Sequence, residues 1–202
     1  MVAFSSQSCT FVLYFRPASV FSMCMERIRI LDKEFELFIS SDEIQGAVKR
    51  MAEEMYADYQ EKTPLFLSLL NGVFMFAADL FKVYRGDCEI SFIKYSSYEG
   101  TSSTGKVNTL IGLSEDLTGR DIIVLDDIID SGTTVAHLLD QLSGLSPRSV
   151  KVASLLLKPA ALLNKVPTDY IGLEIPNDFI VGYGLDYNGL GRNLRDIYKI
   201  AE

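Results

Sequence analysis

The fold of this chain is decided by the stretch Ile122-Ile123-Val124-Leu125-Asp126-Asp127-Ile128-Ile129-Asp130-Ser131-Gly132-Thr133-Thr134. An apolar run comes first and ends in two adjacent acids, and a third acid follows two isoleucines. A small, hydroxyl-rich turn with one glycine leads into residues 135–142, whose apolar side chains have helical spacing. The stretch therefore predicts a strand, a group of acids, a loop and a helix, in that order.

The apolar part of this stretch, residues 121–125, is short, rich in β-branched side chains and free of polar alternation. This pattern is typical of a strand that is buried on both faces, as in a parallel sheet. Ligands of such sheets bind beyond the carboxyl ends of the strands. We expect Asp126 and Asp127 to lie at such an end and to face a ligand.

The loop after the strand has the composition of an anion site. Gly132 permits a tight bend, and the amides of the first helical turn point at an anion. Ionised acids only accept hydrogen bonds, so Asp126 and Asp127 suit the hydroxyls of a sugar or the water shell of Mg²⁺. The order predicts a phosphorylated sugar as ligand. The alternative is a surface turn with Asp130 or Ser131 as N-cap, which leaves the other acids and hydroxyls unexplained.

Composition narrows the class of protein. The chain has 202 residues, of which 48% are hydrophobic, and this suits one α/β domain with a well-buried core. A net charge of -8 argues against non-specific binding to nucleic acid or acidic membranes. Three cysteines without metal spacing favour a reducing compartment. The single histidine, His137, lies inside the helix after the loop, and we expect it to be structural or at the surface.

Residues 1–24 differ from the rest of the chain. Their apolar run at residues 11–15 is too short to span a bilayer, and no basic segment precedes it. We expect a disordered extension, or an upstream start codon chosen over Met25. The domain is predicted over residues 25–202.

Strands and helices alternate along this domain. Ser40 and Glu43 form a capping-box pair, and apolar residues follow at helical spacing. Residues 98–106 are polar and rich in Ser, Thr and Gly, which predicts a mobile loop. The alternation implies a parallel sheet that is covered on both faces. Strands are predicted at residues 28–31, 35–39, 64–70, 89–95, 108–113, 121–125, 150–157 and 170–173, and helices after Ser40, at 73–84 and at 135–142.

The opening stretch resembles the phosphoribosyl-diphosphate signature of the type I phosphoribosyltransferases, and is most similar to the hypoxanthine (hypoxanthine-guanine) branch. That signature has two acids, two isoleucines, Asp, Thr or Ser, and Gly. Three further matches occur in the same order as in the family, at Ser97-Tyr98, at residues 154–158 and at residues 179–187. The resemblance covers about residues 27–200 and implies an α/β fold: a central, mostly parallel sheet flanked by helices, with a small hood from the chain ends.

The resemblance also implies a reaction. It is the Mg²⁺-dependent transfer of a phosphoribosyl group from 5-phosphoribosyl 1-diphosphate to N9 of a 6-oxopurine, giving IMP or GMP and diphosphate. Asp130 is the implied general acid or base at N7. The implied donor-binding residues are Asn71, Gly72, Ser97, Tyr98, Asp126, Asp127, Asp130, Ser131, Gly132, Thr133, Thr134 and Arg192. The implied purine-binding residues are Ile128, Lys158, Phe179, Ile180 and Asp186, and the implied Mg²⁺ ligands are Asp186, Asp126 and Asp127.

Two of these roles follow a clear chemical logic. The matching lysine, Lys158, donates to the purine 6-oxygen and so rejects a 6-amino group. Phe179 is implied as the ring on which the purine stacks. The chain departs from many relatives in having Asn71-Gly72-Val73 instead of Lys-Gly-Gly, in a turn that often contains a non-proline cis peptide, and Thr133 where some relatives have lysine. The family arginine matches Arg192, with Arg195 as the alternative.

Other classes stay open at this stage. One is a nucleotide-sensing regulator with the same fold, and another is a receiver-type signalling domain. A phosphoribosyltransferase for another base, such as a pyrimidine, is the nearest enzymatic rival. The resemblance implies a cytoplasmic homodimer or homotetramer with no nucleic-acid or membrane partner, and it does not rank hypoxanthine, guanine and xanthine.

Overall fold

A computed structural model describes residues 27–96, 108–112 and 115–201. The predictions for residues 1–24 and for the loop with Ser97 and Tyr98 concern residues outside this part and stay predictions. The described residues form ten strands and three α-helices: β1 (Arg27–Ile30), β2 (Lys33–Ile39), α1 (Ser41–Tyr59), β3 (Leu65–Leu70), α2 (Phe74–Val83), β4 (Glu89–Ser96), β5 (Asn108–Ile111), β6 (Asp121–Ile129), α3 (Thr133–Ser143), β7 (Ser149–Leu157), β8 (Tyr170–Glu174), β9 (Ile180–Val181) and β10 (Ile197–Ile200).

The central sheet has six strands in the order β5-β4-β3-β6-β7-β8. All neighbours from β4 to β8 run parallel, and β5 adds to the edge in the antiparallel direction. β6 lies in the middle, between β3 and β7, so its carboxyl end is surrounded by other strand ends. The prediction of a mostly parallel α/β sheet is confirmed.

Helices cover both faces of this sheet. Ile123 and Leu125 of β6 pack into the core that contains α1 and α2, and Ile122 and Val124 pack into the core that contains α3. All four side chains are fully buried. This double burial explains why the strand has no polar alternation.

The first helix begins where the sequence predicts. The Ser40 side chain accepts a hydrogen bond from the Glu43 amide at 3.3 Å, and the Glu43 carboxylate accepts one from the Ser40 amide at 3.0 Å. A capping residue of this type typically stabilises a helix by about 1 kcal/mol. The predicted capping box is therefore confirmed, and it fixes the start of α1.

A second, four-stranded antiparallel sheet forms the hood, in the order β1-β2-β10-β9. Its core contains Phe35, Val181 and Tyr198. The hood that the resemblance implies is confirmed. β9 and β10 were not predicted, because strands of two and four residues are too short to show a period.

The end of the signature strand requires a correction. The sequence predicts a strand over residues 121–125 with Asp126 and Asp127 beyond its end, but β6 continues to Ile129. β7 is equally long and pairs with β6 as far as Ile129↔Leu157, whereas the pairing of β3 with β6 stops at Ser68↔Leu125. The two acids therefore lie inside β6, just past its last pair with β3.

Candidate active site

Asp126 and Asp127 form an acidic pair at this position, of which Asp126 is buried and Asp127 is partly buried. Asp126 is 8% exposed, and its carboxylate accepts a hydrogen bond from the Asp127 amide at 3.1 Å. Burial raises the pKa of Asp126 well above its ordinary value, and the charge of Asp127 raises it further. Burial also raises the pKa of Asp127, although its hydrogen bonds and the nearby charge of Arg192 oppose this. The pair is therefore suited to receive a cation or hydroxyl donors.

The loop after β6 has the geometry of an anion site. Gly132 has φ 75° and is the N-cap of α3, without a side-chain cap. This left-handed conformation favours glycine. The Ser131 hydroxyl donates to the Thr133 hydroxyl at 3.0 Å and accepts from the Thr133 amide at 3.3 Å. A cavity of about 80 Å³ is lined by Asp126, Ile128, Ile129, Asp130, Ser131, Gly132, Thr133, Thr134 and Val135.

A second loop holds this one from outside. The Leu163 and Asn164 amides both donate to the Ser131 carbonyl, at 3.0 and 3.1 Å. The Asn164 side chain donates to the Thr133 hydroxyl at 3.0 Å. A Cβ at Gly132 would lie 3.0 Å from the Asn164 carbonyl oxygen, so there is little room for another residue. Asn164 was not predicted as a site residue, because it belongs to no recognised motif.

Lys158 and Asp130, predicted for the purine, contact each other. Lys158 follows β7 and is 6% exposed, and its ammonium lies 3.1 Å from the carboxylate of the exposed Asp130. The Lys158 amide donates to the Ile129 carbonyl at 3.0 Å, which ties the ends of β6 and β7 together. Both residues therefore lie beside the acidic pair and the loop.

The turn after β3 lies against the acidic pair. The Leu70–Asn71 peptide bond is cis, as in the turn that the resemblance implies. A Cβ at Gly72 would overlap the Asp127 carboxylate, so the absence of a side chain lets the turn approach the acid closely. The structure thus brings Asn71 and Gly72 next to Asp127, although Gly72 and Asp127 are 55 positions apart in the chain.

A hood turn approaches from the other side. Gly184 has φ 99°, and a Cβ there would overlap the Gly72 carbonyl. The Arg192 guanidinium donates to the Gly184 carbonyl at 2.7 Å and pairs with Asp186 at 2.5 Å. Arg195, the alternative to Arg192, is mostly exposed and pairs with its neighbour Asp196. The geometry favours Arg192, whose charge acts on Asp127.

Phe179 lies at the edge of the hood. Its ring is 44% exposed, and ring centroids of Phe35 and Tyr187 lie 6.2 and 5.8 Å away. The ring is therefore held by neighbours and keeps an open part for a flat ligand. Ile180 is buried in β9 and pairs with Lys199. Tyr187 was not predicted as a site residue, although it is the last residue of the matched stretch 179–187.

The acids near the site are hard oxygen donors, which suit Mg²⁺. Within the described residues, no cluster of three or more His, Cys, Asp or Glu side chains forms a ready-made metal site. Mg²⁺ commonly binds through one or two carboxylates and substrate phosphates, with several waters retained. The adjacent acids Asp126 and Asp127, and Asp186 across Arg192, fit that mode of binding.

Comparison with known proteins agrees with this geometry. Residues 40–188 match the phosphoribosyl transferase domain family. The chain is 41% identical over 168 residues to the hypoxanthine-guanine phosphoribosyltransferase of Streptococcus pyogenes, which covers 83% of this chain and 93% of that protein. It is 39% identical over 160 residues to the bifunctional protein TilS/HprT of Listeria innocua. This match covers 79% of this chain but only 25% of the relative's length.

A solved structure is similar as well. The crystal structure of a hypoxanthine-guanine phosphoribosyltransferase from Bacillus anthracis superimposes with a TM-score of 0.77 at 37% identity, and covers 82% of this chain and 98% of that one. The signature, the hood and the turn after β3 thus occur in a chain that belongs to the phosphoribosyl transferase domain family and, within it, to the group of the hypoxanthine-guanine phosphoribosyltransferases.

Proposed function

We propose that this protein is a purine salvage enzyme, which transfers the phosphoribosyl group of 5-phosphoribosyl 1-diphosphate to N9 of hypoxanthine and of guanine. The observation that carries the proposal is the acidic pair Asp126–Asp127: Asp126 is buried and lines the cavity of the Gly132 loop, and the charge of the Arg192 guanidinium acts on Asp127. An acidic pair with an anion loop on one side and a cation on the other matches a ligand with hydroxyls between two phosphate groups.

The donor is assigned to three neighbouring features. Its 5-phosphate accepts hydrogen bonds in the loop from Asp130 to Thr134, at the amino end of α3. Its ribose hydroxyls donate to Asp126 and Asp127. Its diphosphate lies along the turn of Asn71 and Gly72 and pairs with Arg192. Ser97 and Tyr98, which lie outside the described residues, are retained as predicted donor-binding residues.

Mg²⁺ is the proposed cofactor, held by Asp126, Asp127 and Asp186 together with the donor's own oxygens. When bound, it neutralises charge on the leaving diphosphate. Neither Asn71 nor Thr133 carries the positive charge that some relatives have at these positions, so Arg192 supplies a larger share of the protein's own charge there.

The purine is assigned to the other side of the acids. It stacks on Phe179, with backbone groups of Ile180 and the side chain of Ile128 at its edge. Lys158 donates to its 6-oxygen, which favours hypoxanthine and guanine over adenine. Asp186, which follows Gly184 in the hood turn, is also assigned to the purine.

Proton transfer is assigned to Asp130. In the structure its carboxylate accepts a hydrogen bond from Lys158 at 3.1 Å, so it is held beside the residue that reads the base. As N9 forms a bond to C1 of the ribose, the bond from C1 to diphosphate breaks. The proton of the base passes from N7 to Asp130, or the reverse in the back reaction. Alignment and charge stabilisation contribute more than the proton step.

The proposal concerns the transferase activity of this chain alone, because the chain spans a quarter of the length of the bifunctional TilS/HprT relatives. We propose a homodimer or homotetramer in the cytoplasm. Among the described residues, no helix has the length and apolarity needed to cross a membrane. The competing function is a nucleotide-sensing regulator that binds the donor or its product without turnover.

The decisive experiment is a product assay with purified protein, 5-phosphoribosyl 1-diphosphate and Mg²⁺. Hypoxanthine, guanine, xanthine, adenine and uracil are supplied in separate reactions, and nucleoside monophosphate is quantified. The proposal expects product from hypoxanthine or guanine, little from adenine, and none after chelation of the metal. Absence of product from every base, with the donor still bound, would favour the regulator.

A further inference from the structure

Asp79, on the helix that follows the Asn71-Gly72 turn, is the centre of a hydrogen-bond network. Its side chain is 18% exposed. Its carboxylate accepts from the Tyr183 hydroxyl at 2.8 Å, from the Gln45 amide at 2.6 Å and from the Lys82 ammonium at 2.7 Å. Burial alone raises the pKa of Asp79, but these donors outweigh it and the pKa lies below its ordinary value. Asp79 therefore joins α1, α2 and the hood turn as a carboxylate.

Tyr183 is the hood's side of this network. It is 2% exposed, has φ 47° and lies between Gly182 and Gly184. Its amide donates to the Leu194 carbonyl at 2.8 Å. Burial and the bond to Asp79 raise the pKa of its hydroxyl, which stays a donor. Backbone and hydroxyl together fix the position of this residue in the turn.

The next residue, Gly184, transmits that position to the site. Its backbone packs against the Gly72 carbonyl, and Gly72 in turn packs against the Asp127 carboxylate. The Gly184 carbonyl also accepts from Arg192 at 2.7 Å. A displacement of Gly184 would therefore move both the Asn71-Gly72 turn and Arg192.

We propose that Asp79 is a positioning residue for the diphosphate part of the donor site, acting through its hydrogen bond with Tyr183. This inference rests on the proposed function. Neither side chain is assigned to contact a substrate. The network acts on Gly72, Gly184 and Arg192, whereas Lys158, which is assigned to the 6-oxygen of the purine, follows β7 and pairs with Asp130.

The chain offers a matched control for this bond. Tyr170, at the start of β8, is 5% exposed and donates to the Asp58 carboxylate at 2.5 Å. Like Tyr183, it is a buried tyrosine bonded to an acid on a helix. Its hydroxyl bonds to Asp58 in the last turn of α1, beside Lys151 of β7, and not to the strand ends that carry the site. Tyr170→Phe thus removes an equivalent hydrogen bond that does not connect to the Asn71-Gly72 turn.

The experiment compares Tyr183→Phe with Tyr170→Phe in steady-state kinetics. We expect Tyr183→Phe to raise the KM for 5-phosphoribosyl 1-diphosphate up to about tenfold, because part of the free energy of the lost bond to Asp79 must then be supplied on donor binding to hold Gly184 and Arg192 in place. The KM for hypoxanthine should stay unchanged. Tyr170→Phe should leave both KM values unchanged, with a similar decrease in Tm. An unchanged donor KM in Tyr183→Phe, or an equal increase in both variants, would overturn the inference.

A second pair of variants guards against misfolding. Asp79→Asn keeps an oxygen that accepts from Tyr183 and should preserve most of the donor affinity, whereas Asp79→Ala should reproduce the effect of Tyr183→Phe. Equal donor KM values in these two variants would also contradict the inference.

Failure of the proposed function is distinguished by calorimetry. If the wild-type protein makes no nucleotide from any base, the proposed function fails. Titration with inorganic diphosphate in Mg²⁺ buffer then tests the network alone. About tenfold weaker binding by Tyr183→Phe, with Tyr170→Phe unchanged, supports the positioning role, and equal binding by the two variants excludes it.

Discussion

The ammonium of Lys158 lies 3.1 Å from the carboxylate of Asp130, and the lysine is buried while the acid is exposed. Each side chain is assigned to a different atom of the purine, the lysine to the 6-oxygen and the acid to N7. These atoms are neighbours on one edge of the base. The ion pair therefore holds both groups close together before the base arrives, and its two members should have separable effects.

Asp130→Asn removes the group assigned to the proton. We expect turnover to decrease about 100-fold, within the usual contribution of general acid–base catalysis, with little change in donor affinity. Turnover is measured with hypoxanthine at saturation, and donor affinity by calorimetry. Unchanged turnover would exclude the acid–base role.

Lys158→Met removes the charge assigned to the 6-oxygen and keeps much of the apolar stem. Loss of one charge-assisted hydrogen bond should decrease kcat/KM for hypoxanthine about 10- to 100-fold. The ratio of kcat/KM for hypoxanthine to kcat/KM for adenine should therefore decrease. The KM for the donor serves as the internal control, since it should stay near the wild-type value. An equal loss with adenine would argue against base recognition.

Asp126→Asn removes a charge from a buried position. Because burial disfavours the ionised form, we expect Tm to increase by about 2–4 °C, corresponding to about 1 kcal/mol in a chain of this length. Donor binding should weaken, because the pair loses a charge that attracts Mg²⁺. Asp140→Asn, at an exposed position on α3, is the charge-matched control and should change neither quantity. A lower Tm for Asp126→Asn would contradict the argument.

Gly72→Ala places a Cβ where the Asp127 carboxylate lies, so either the turn or the acid must move. We expect the affinity for the donor to decrease at least about tenfold and the free energy of unfolding to decrease by about 1–3 kcal/mol. The contrasting variant is Gly46→Ala in α1, where a Cβ meets nothing within 4 Å. It should stabilise the helix by about 0.5–1 kcal/mol and leave activity unchanged. Urea denaturation and the product assay separate the two.

The Asp79 network predicts a pH dependence of stability. The pKa of Asp79 in the folded protein lies below its ordinary value of 3.8, so the folded state favours the ionised form. Its contribution is present above that ordinary value and is lost as pH falls through the folded pKa. The difference in unfolding free energy between wild type and Asp79→Asn should be constant near neutral pH and shrink below about pH 4. A difference in unfolding free energy that grows as pH falls would contradict a lowered pKa of Asp79 in the folded protein.

Much of the central sheet is predictable from local patterns. The uniform apolar run of β6 and the capping box at Ser40 and Glu43 depend on neighbouring residues, so the sequence states them directly. The strand end is harder to predict, because β6 continues through Asp126 and Asp127 only where β7 runs beside it. Pairing with a distant strand leaves no mark on the residues themselves.

The positions of the site residues relative to one another depend still more on tertiary structure. Tyr183 and Asp79 are 104 residues apart, and no local pattern indicates their bond. The contact between Gly184 and Gly72 likewise joins the hood to the central sheet. Resemblance supplied the names of Arg192 and Asp186, whereas their mutual ion pair became visible only in three dimensions.

The hood sheet joins segments from opposite parts of the chain, since β2 ends at Ile39 and its partner β10 begins at Ile197. During synthesis, β2 leaves the ribosome long before β10 exists. The edge of β2 that pairs with β10 therefore lacks this partner strand until the end of the chain is made, and an exposed strand edge favours aggregation. Asp186 and Arg192 arrive with the same late segment. The assigned diphosphate site is thus complete only after the last part of the chain has been made.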